Sequence, residues 1–158
     1  MAGYGDDDGF TAYMTANGYT VPEGSIPAAR QRGSAYIDAA YGARFTGVPT
    51  GGVEQERAWP RTGATAFGTA LASDIIPVRV VNASYEAALI EMREPGSLSA
   101  IISGTSLIKR ERVDGAVEVE YAVSDKTDLA TAAQPIVTAI EGMLAPLVTR
   151  PMPGILVV

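Results

Sequence analysis

The stretch PVRVVNASYEAALIEMREPG, residues 77–96, decides the fold class. Val78, Val81, Tyr85, Ala88, Leu89 and Met92 recur at the three- and four-residue spacing of one helical face. Pro77 suits a first turn, and Glu94-Pro95-Gly96 ends the pattern cleanly. This helix should be the centre of the core. Three further stretches carry the same period. One starts near Ser25, a good N-cap, with Pro27 in its first turn and Ala29, Tyr36, Ile37, Ala40 and Tyr41 on one face up to Gly42; Gly33 weakens its middle. Another runs from about Thr131, with Pro135 early and Ile136, Ile140, Met143, Leu144 and Leu147 in register, until Pro146 kinks or frays its last turn. The third is DGFTAYMTANG, residues 8–18, where Asp8 can cap, Phe10, Tyr13 and Met14 share a face, and Asn17-Gly18 stops the helix. The expectation is a mainly α protein: a small bundle of about four helices with one inserted β-hairpin and an extended C-terminal tail.

Composition sets the bounds. The 158 residues, 47% hydrophobic and 19% charged, suit a single domain with a modest core, expected over residues 1–148 with a tail at 149–158. With neither cysteine nor histidine, the chain has no disulfide, no thiolate or imidazole metal ligand, and no triad based on imidazole. A net charge of −6 disfavours a protein whose main work is gripping phosphate backbones. No run approaches the roughly 18 apolar residues of a membrane span, and MAGYGDDDGF lacks the basic and apolar regions of a signal peptide, so a cytoplasmic chain is expected. Asp6, Asp7 and Asp8 lack the alternate spacing of a calcium loop; negative charge ahead of a helix N-terminus accounts for them.

Residues 42–73 hold six glycines and two prolines without a period, a connection far longer than ordinary domains use. Inside it QERAWPRTGA carries the only tryptophan, Trp59. Pro60 favours an extended backbone at Trp59, whose indole is expected to pin the loop to the helices. Arg57 and Arg61 on either side suit carboxylates on a partner. Arg30, Arg32 and Arg44 lie off the apolar stripe and read as a solvated basic face or a contact with an acidic neighbour.

The hairpin is LIKRERVDGAVEVEYAV, residues 107–123. A two-residue Asp114-Gly115 turn would set Glu111 against Glu118, like charges directly opposed. A three-residue loop of Asp114, Gly115 and Ala116 instead pairs Arg112 with Glu118 and Arg110 with Glu120. It also gathers Leu107, Val113, Val117, Val119, Tyr121 and Val123 on the other face. That face must rest on the helices or on another copy, and the ion pairs are candidates for a subunit seam. The tail TRPMPGILVV ends on Ile155, Leu156, Val157 and Val158, each of which gains about 1.5–3 kcal/mol on full burial. Either the tail folds back onto its own core or another chain receives it; Pro151 and Pro153 keep the approach extended, which suits addition to another subunit better than return packing.

The succession AYIDAAYGARFTG, AWPRTGA, IPVRVVNASYEAAL, LIKRERVDGAVEVEYA and PIVTAIEGMLAPL resembles the head-to-tail adaptor (connector) proteins of tailed bacteriophages and gene transfer agents, over residues 10 to 148. These are relatives of a small helical connector family, and some carry the label DnaT-like single-stranded DNA-binding protein. The resemblance implies a structural virion protein, assembled in the bacterial host cytoplasm. It would form a homo-oligomeric ring, typically of twelve copies, at the head–tail interface. The implied partners are the portal, reached by the C-terminal segment, and a tail-side connector or stopper protein, with DNA only passing through the channel. No cofactor, metal or catalytic residue is expected, and no constellation for an enzyme stands out. The alternative is a single-stranded DNA binder relying on Arg30, Arg32, Arg44, Arg57 and Arg61.

Overall fold

The structure, a computed structural model, describes residues 3–102 and 137–149. It is mainly helical, as the periodicity predicts, and has a small antiparallel sheet component within residues 48–70. Helices α1 (Asp7–Ala16), α2 (Ile26–Tyr41), α3 (Val78–Arg93) and α4 (Ser97–Ile102) are joined by a fifth helical segment, α5, over residues 137–144. The hairpin expected at residues 107–123, with Arg110, Arg112, Glu118 and Glu120, lies outside the described residues. So do residues 150–158 of the tail, with Pro151, Pro153, Ile155, Leu156, Val157 and Val158.

Helix α3 is flanked by apolar side chains on two faces. Val80, Ala83, Ala87 and Ile90 join Tyr36, Ile37, Tyr41, Leu98, Ile140, Leu144 and Leu147 in the larger cluster. Tyr85, Ala88 and Leu89 join Phe10, Met14 and Ala29 in the smaller one. The stripe read from the sequence is this second face. Its first member, Val78, is 72% exposed, because at the helix start the stripe runs past the edge of the smaller cluster.

Gly33 sits where α2 crosses α3. A Cβ there would lie 2.5 Å from the Ser84 carbonyl oxygen and 2.7 Å from the Ala88 nitrogen. The missing side chain is therefore what lets the two backbones approach, and what looks like a weak point in α2 is its packing contact. The caps are partly as expected. Ser25 accepts from the Ala28 amide at 3.4 Å, and Gly42 follows the last residue of α2. At α1 the cap is Asp6 instead of Asp8: its carboxylate accepts from the Gly9 amide at 2.7 Å, which places Asp8 inside the first turn. Helix α4, directly after Gly96, has no counterpart in the sequence reading, since six residues are too few to show a period.

The long connection is organised by two minimal antiparallel pairs. Strand β1 (Val48–Pro49) pairs with β2 (Arg61–Thr62), and β3 (Thr65–Ala66) with β4 (Thr69–Ala70) through a two-residue turn at Phe67 and Gly68. A short 3-10 turn covers Gly52–Glu54. At its start the connection is tied to the end of α5: Phe45 bridges Val148, the Thr46 amide donates to the Leu147 carbonyl at 2.9 Å, and the Thr149 amide donates to the Arg44 carbonyl at 2.8 Å.

Candidate functional site

The 42–77 connection is held rigidly by its arginines and its tryptophan. Trp59 is buried and meets Phe45 edge to face, with ring centroids 5.5 Å apart. The Trp59 amide donates to the Tyr4 hydroxyl at 3.2 Å, so the N-terminal segment closes over the loop. Asp38, on α2, gathers the rest. One carboxylate oxygen accepts from the Tyr4 hydroxyl and from the Ala58 amide at 3.2 Å, and the other accepts from Arg57 at 3.2 Å. Burial, reinforced by the Asp38 carboxylate, pushes the Tyr4 phenol well above its ordinary range and keeps it a neutral donor. The carboxylate that meets Arg57 is thus one of the same chain.

Arg61 is only 6% exposed, and its fork is spent on backbone oxygens. Its Nε donates to Thr46 at 2.9 Å, one terminal nitrogen to Ala58 at 3.1 Å, and the other to Phe45 at 3.3 Å and Gly47 at 2.6 Å. Burial pulls its pKa down from the ordinary value, but those carbonyl dipoles face the cation and replace the water it has lost. Pro60, joined to Trp59 through a cis peptide bond, directs its carbonyl to the Thr50 amide at 3.1 Å and to Gln55 at 3.0 Å.

For Arg30 the sequence leaves a solvated face or a contact with an acidic neighbour, and the structure shows the contact, with an acid of the same chain. Arg30 is buried on α2; it pairs with the Asp7 carboxylate and donates to the carbonyls of Gly5 and, at 3.2 Å, Tyr4. The N-terminal segment crosses this side of α2, pinned also by the Tyr4 amide donating to the Ser34 hydroxyl at 2.8 Å, so the guanidinium is covered. Arg32 reaches Glu91 of α3 at 2.9 Å while staying largely open to solvent. Arg44 stacks on the Tyr41 ring, 5.6 Å from its centroid.

Among the polar side chains that the connection shows to solvent, Glu54, Glu56 and Asp74 included, stand several large apolar ones. Val53 is 98% exposed, Phe67 75% and Val48 63%, with Ile75 and Ile76 also exposed beside Val78. Phe67 is the feature that reading the sequence passed over. The signal was present in TAFGTA, where two short β-prone pieces flank an aromatic residue and a glycine. Among the described residues, no group of three or more acidic side chains converges to hold a metal ion.

Fold and site together define a small helical protein whose arginines brace a long loop and whose loop presents apolar side chains. By its sequence the chain belongs to the family described as "Putative DnaT-like ssDNA binding protein", whose model matches residues 3–157. No curated protein and no solved structure matches it.

Proposed function

We propose that the protein is a structural virion component, a head-to-tail adaptor that forms a ring joining the portal to the tail. What carries this reading is the use made of the arginines. A protein that holds single-stranded DNA needs cations in a groove together with open aromatic faces on which bases stack. Of the five arginines that could serve, Arg30 and Arg61 are buried, Arg57 is paired with Asp38, and Arg32 is paired with Glu91. Of these five only Arg44 is both exposed and outside an ion pair; Arg79 and Arg93, the other exposed arginines outside an ion pair among the described residues, stand about 21 Å apart at opposite ends of α3, so these cations are scattered instead of following one phosphate backbone. The exposed valines, isoleucines and Phe67 of the loop suit contacts with protein. In this role the chain needs no cofactor and performs no catalysis; its partners are copies of itself, the portal and a tail-side protein.

The family description favours a second reading, binding of single-stranded DNA. Two measurements separate them. Mixed with portal, the adaptor gives stacked rings in negative-stain electron micrographs, and deleting residues 152–158 leaves a folded protein that no longer joins the portal. Fluorescence anisotropy with an oligothymidine at ~20 mM salt, where phosphate contacts are strongest, gives no binding. Salt-dependent binding lost in Arg44→Ala and Arg32→Ala, without portal rings, would replace the adaptor reading by the second one.

A further inference from the structure

The β3–β4 hairpin holds an aromatic side chain in a place that costs backbone strain. Phe67 has φ of 51° and Gly68 of 79°, so both central residues of the turn are left-handed. Such a turn fits the strand twist, but its first position favours asparagine, aspartate or glycine. A phenylalanine there clashes with its own backbone and then leaves its ring 75% exposed. Strain combined with exposure points to use of the ring against something else. Beside it stands Arg79, with its guanidinium carbon 5.2 Å from the Phe67 centroid.

Between the end of α2 and α5 there is an open cleft of about 240 Å³, lined by Tyr41, Arg44, Glu141, Leu144, Ala145, Val148 and Thr149. A phenyl ring is smaller than this volume, and the lining it would meet is mixed: Leu144, Ala145 and Val148 are apolar, Tyr41 and Thr149 carry hydroxyls, and Arg44 and Glu141 carry opposite charges. Arg79 reaches α5 through the Met143 carbonyl at 3.4 Å, and neither Phe67 nor Arg79 lines the cleft, so knob and cleft are two different surfaces of one chain.

We infer that the Phe67–Arg79 knob of one copy seats in the Tyr41–Glu141–Val148 cleft of the next, with Phe67 against Leu144, Ala145 and Val148 and Arg79 pairing with Glu141. Arg44 stacks on the incoming ring as it already does on Tyr41. A contact between two different surfaces of one chain is heterologous, and repetition of it closes a ring or extends a filament. The inference rests on the ring reading above and names the surfaces that build the ring.

The chain has no cysteine, which makes cross-linking clean. Full-length Phe67→Cys/Ala145→Cys protein, oxidised with copper phenanthroline, gives a ladder of covalent oligomers, and each single variant stops at dimers. Sedimentation velocity checks it without labels: Phe67→Gly, which relieves the left-handed strain, melts no lower than wild type yet associates at least tenfold more weakly. Ala145→Arg, which fills the cleft, does the same, and an equimolar mixture of these two variants stops at one-to-one pairs. If both variants still form wild-type rings, the contact is wrong while the ring reading stands. If wild type is a monomer at every concentration and the double-cysteine protein gives no ladder, both fail. If truncation after Thr149 abolishes the ladder, the cleft receives the tail and the inference is overturned.

Discussion

Adding one methyl group at Gly33 should destabilise the protein, and adding one at Gly142 should stabilise it. Both glycines lie in helical segments, so each replacement by alanine gains up to about 1 kcal/mol of backbone propensity. The surroundings decide the sign. A Cβ at Gly33 meets the Ser84 carbonyl oxygen at 2.5 Å and the Ala88 nitrogen and Cα at 2.7 and 3.1 Å, where ordinary contact begins at 3.4 Å. All three are backbone atoms of α3, which no rotamer change can move aside. The helices must part by about 1 Å, which loosens the contacts that both apolar clusters depend on. Overpacking of this kind costs about 1–3 kcal/mol, and a backbone obstacle belongs near the top of that range. The net loss for Gly33→Ala is about 2 kcal/mol, or about 4–8 °C in Tm for a chain of this length. A Cβ at Gly142 meets nothing within 4 Å, so Gly142→Ala keeps the propensity gain and raises Tm by about 2–4 °C. Thermal and urea melts followed by far-UV circular dichroism measure both. A Gly33→Ala protein as stable as wild type would show that α2 and α3 do not cross at this distance.

Glu86 is 3% exposed, accepts from the Tyr13 hydroxyl at 2.9 Å, and has one buried carboxylate oxygen with no partner among the described residues. Desolvation raises its pKa above 4.5, against the opposing pull of the Tyr13 and Tyr19 hydroxyls and Arg93. A carboxyl that binds its proton more tightly when folded loses stability as pH rises from the unfolded pKa through the folded one. Glu86→Gln should therefore match wild type most closely below about pH 4.5 and gain on it as pH climbs, levelling off above the folded pKa; a difference independent of pH would contradict this. Arg61→Lys should cost at least about 3 kcal/mol, because a point charge cannot serve four carbonyls that the fork of arginine satisfies. Limited proteolysis between residues 45 and 62 reads it independently, and a lysine variant with wild-type resistance would remove the bracing role.

The helices were legible where both their ends and their period were written locally. Ser25 with Pro27, and Pro77 with Glu94-Pro95-Gly96, mark two helices to within a residue or so, since caps and breakers act within a turn of the position they end. The burial of α3 was only half legible. A single stripe describes a helix lying on one layer, and α3 lies between two, so Val80, Ala83, Ala87 and Ile90 form a second stripe that a search for one face leaves out. The same geometry explains how Glu86 and Glu91 come to be buried on it, each with its own donors from Tyr13, Arg32 or the Gly96 amide.

The site was legible as a loop pinned by Trp59, but the destiny of its arginines was not, and the reason is physical. A guanidinium facing solvent and one facing backbone carbonyls have the same sequence signature, because a carbonyl acceptor belongs to every residue and leaves no trace in the side-chain pattern. Arg61 could be assigned its four oxygens only once Phe45, Thr46, Gly47 and Ala58 were seen to converge. That convergence turns the argument about function. Cations spent on bracing an irregular loop are withdrawn from any nucleic acid, and the braced loop is rigid enough to hold a strained Phe67 out in water. A loop built this way loses its advantage if nothing receives it, since an exposed apolar surface with no partner promotes aggregation. The cost of holding Phe67 in place makes sense when the surface it presents is matched by another.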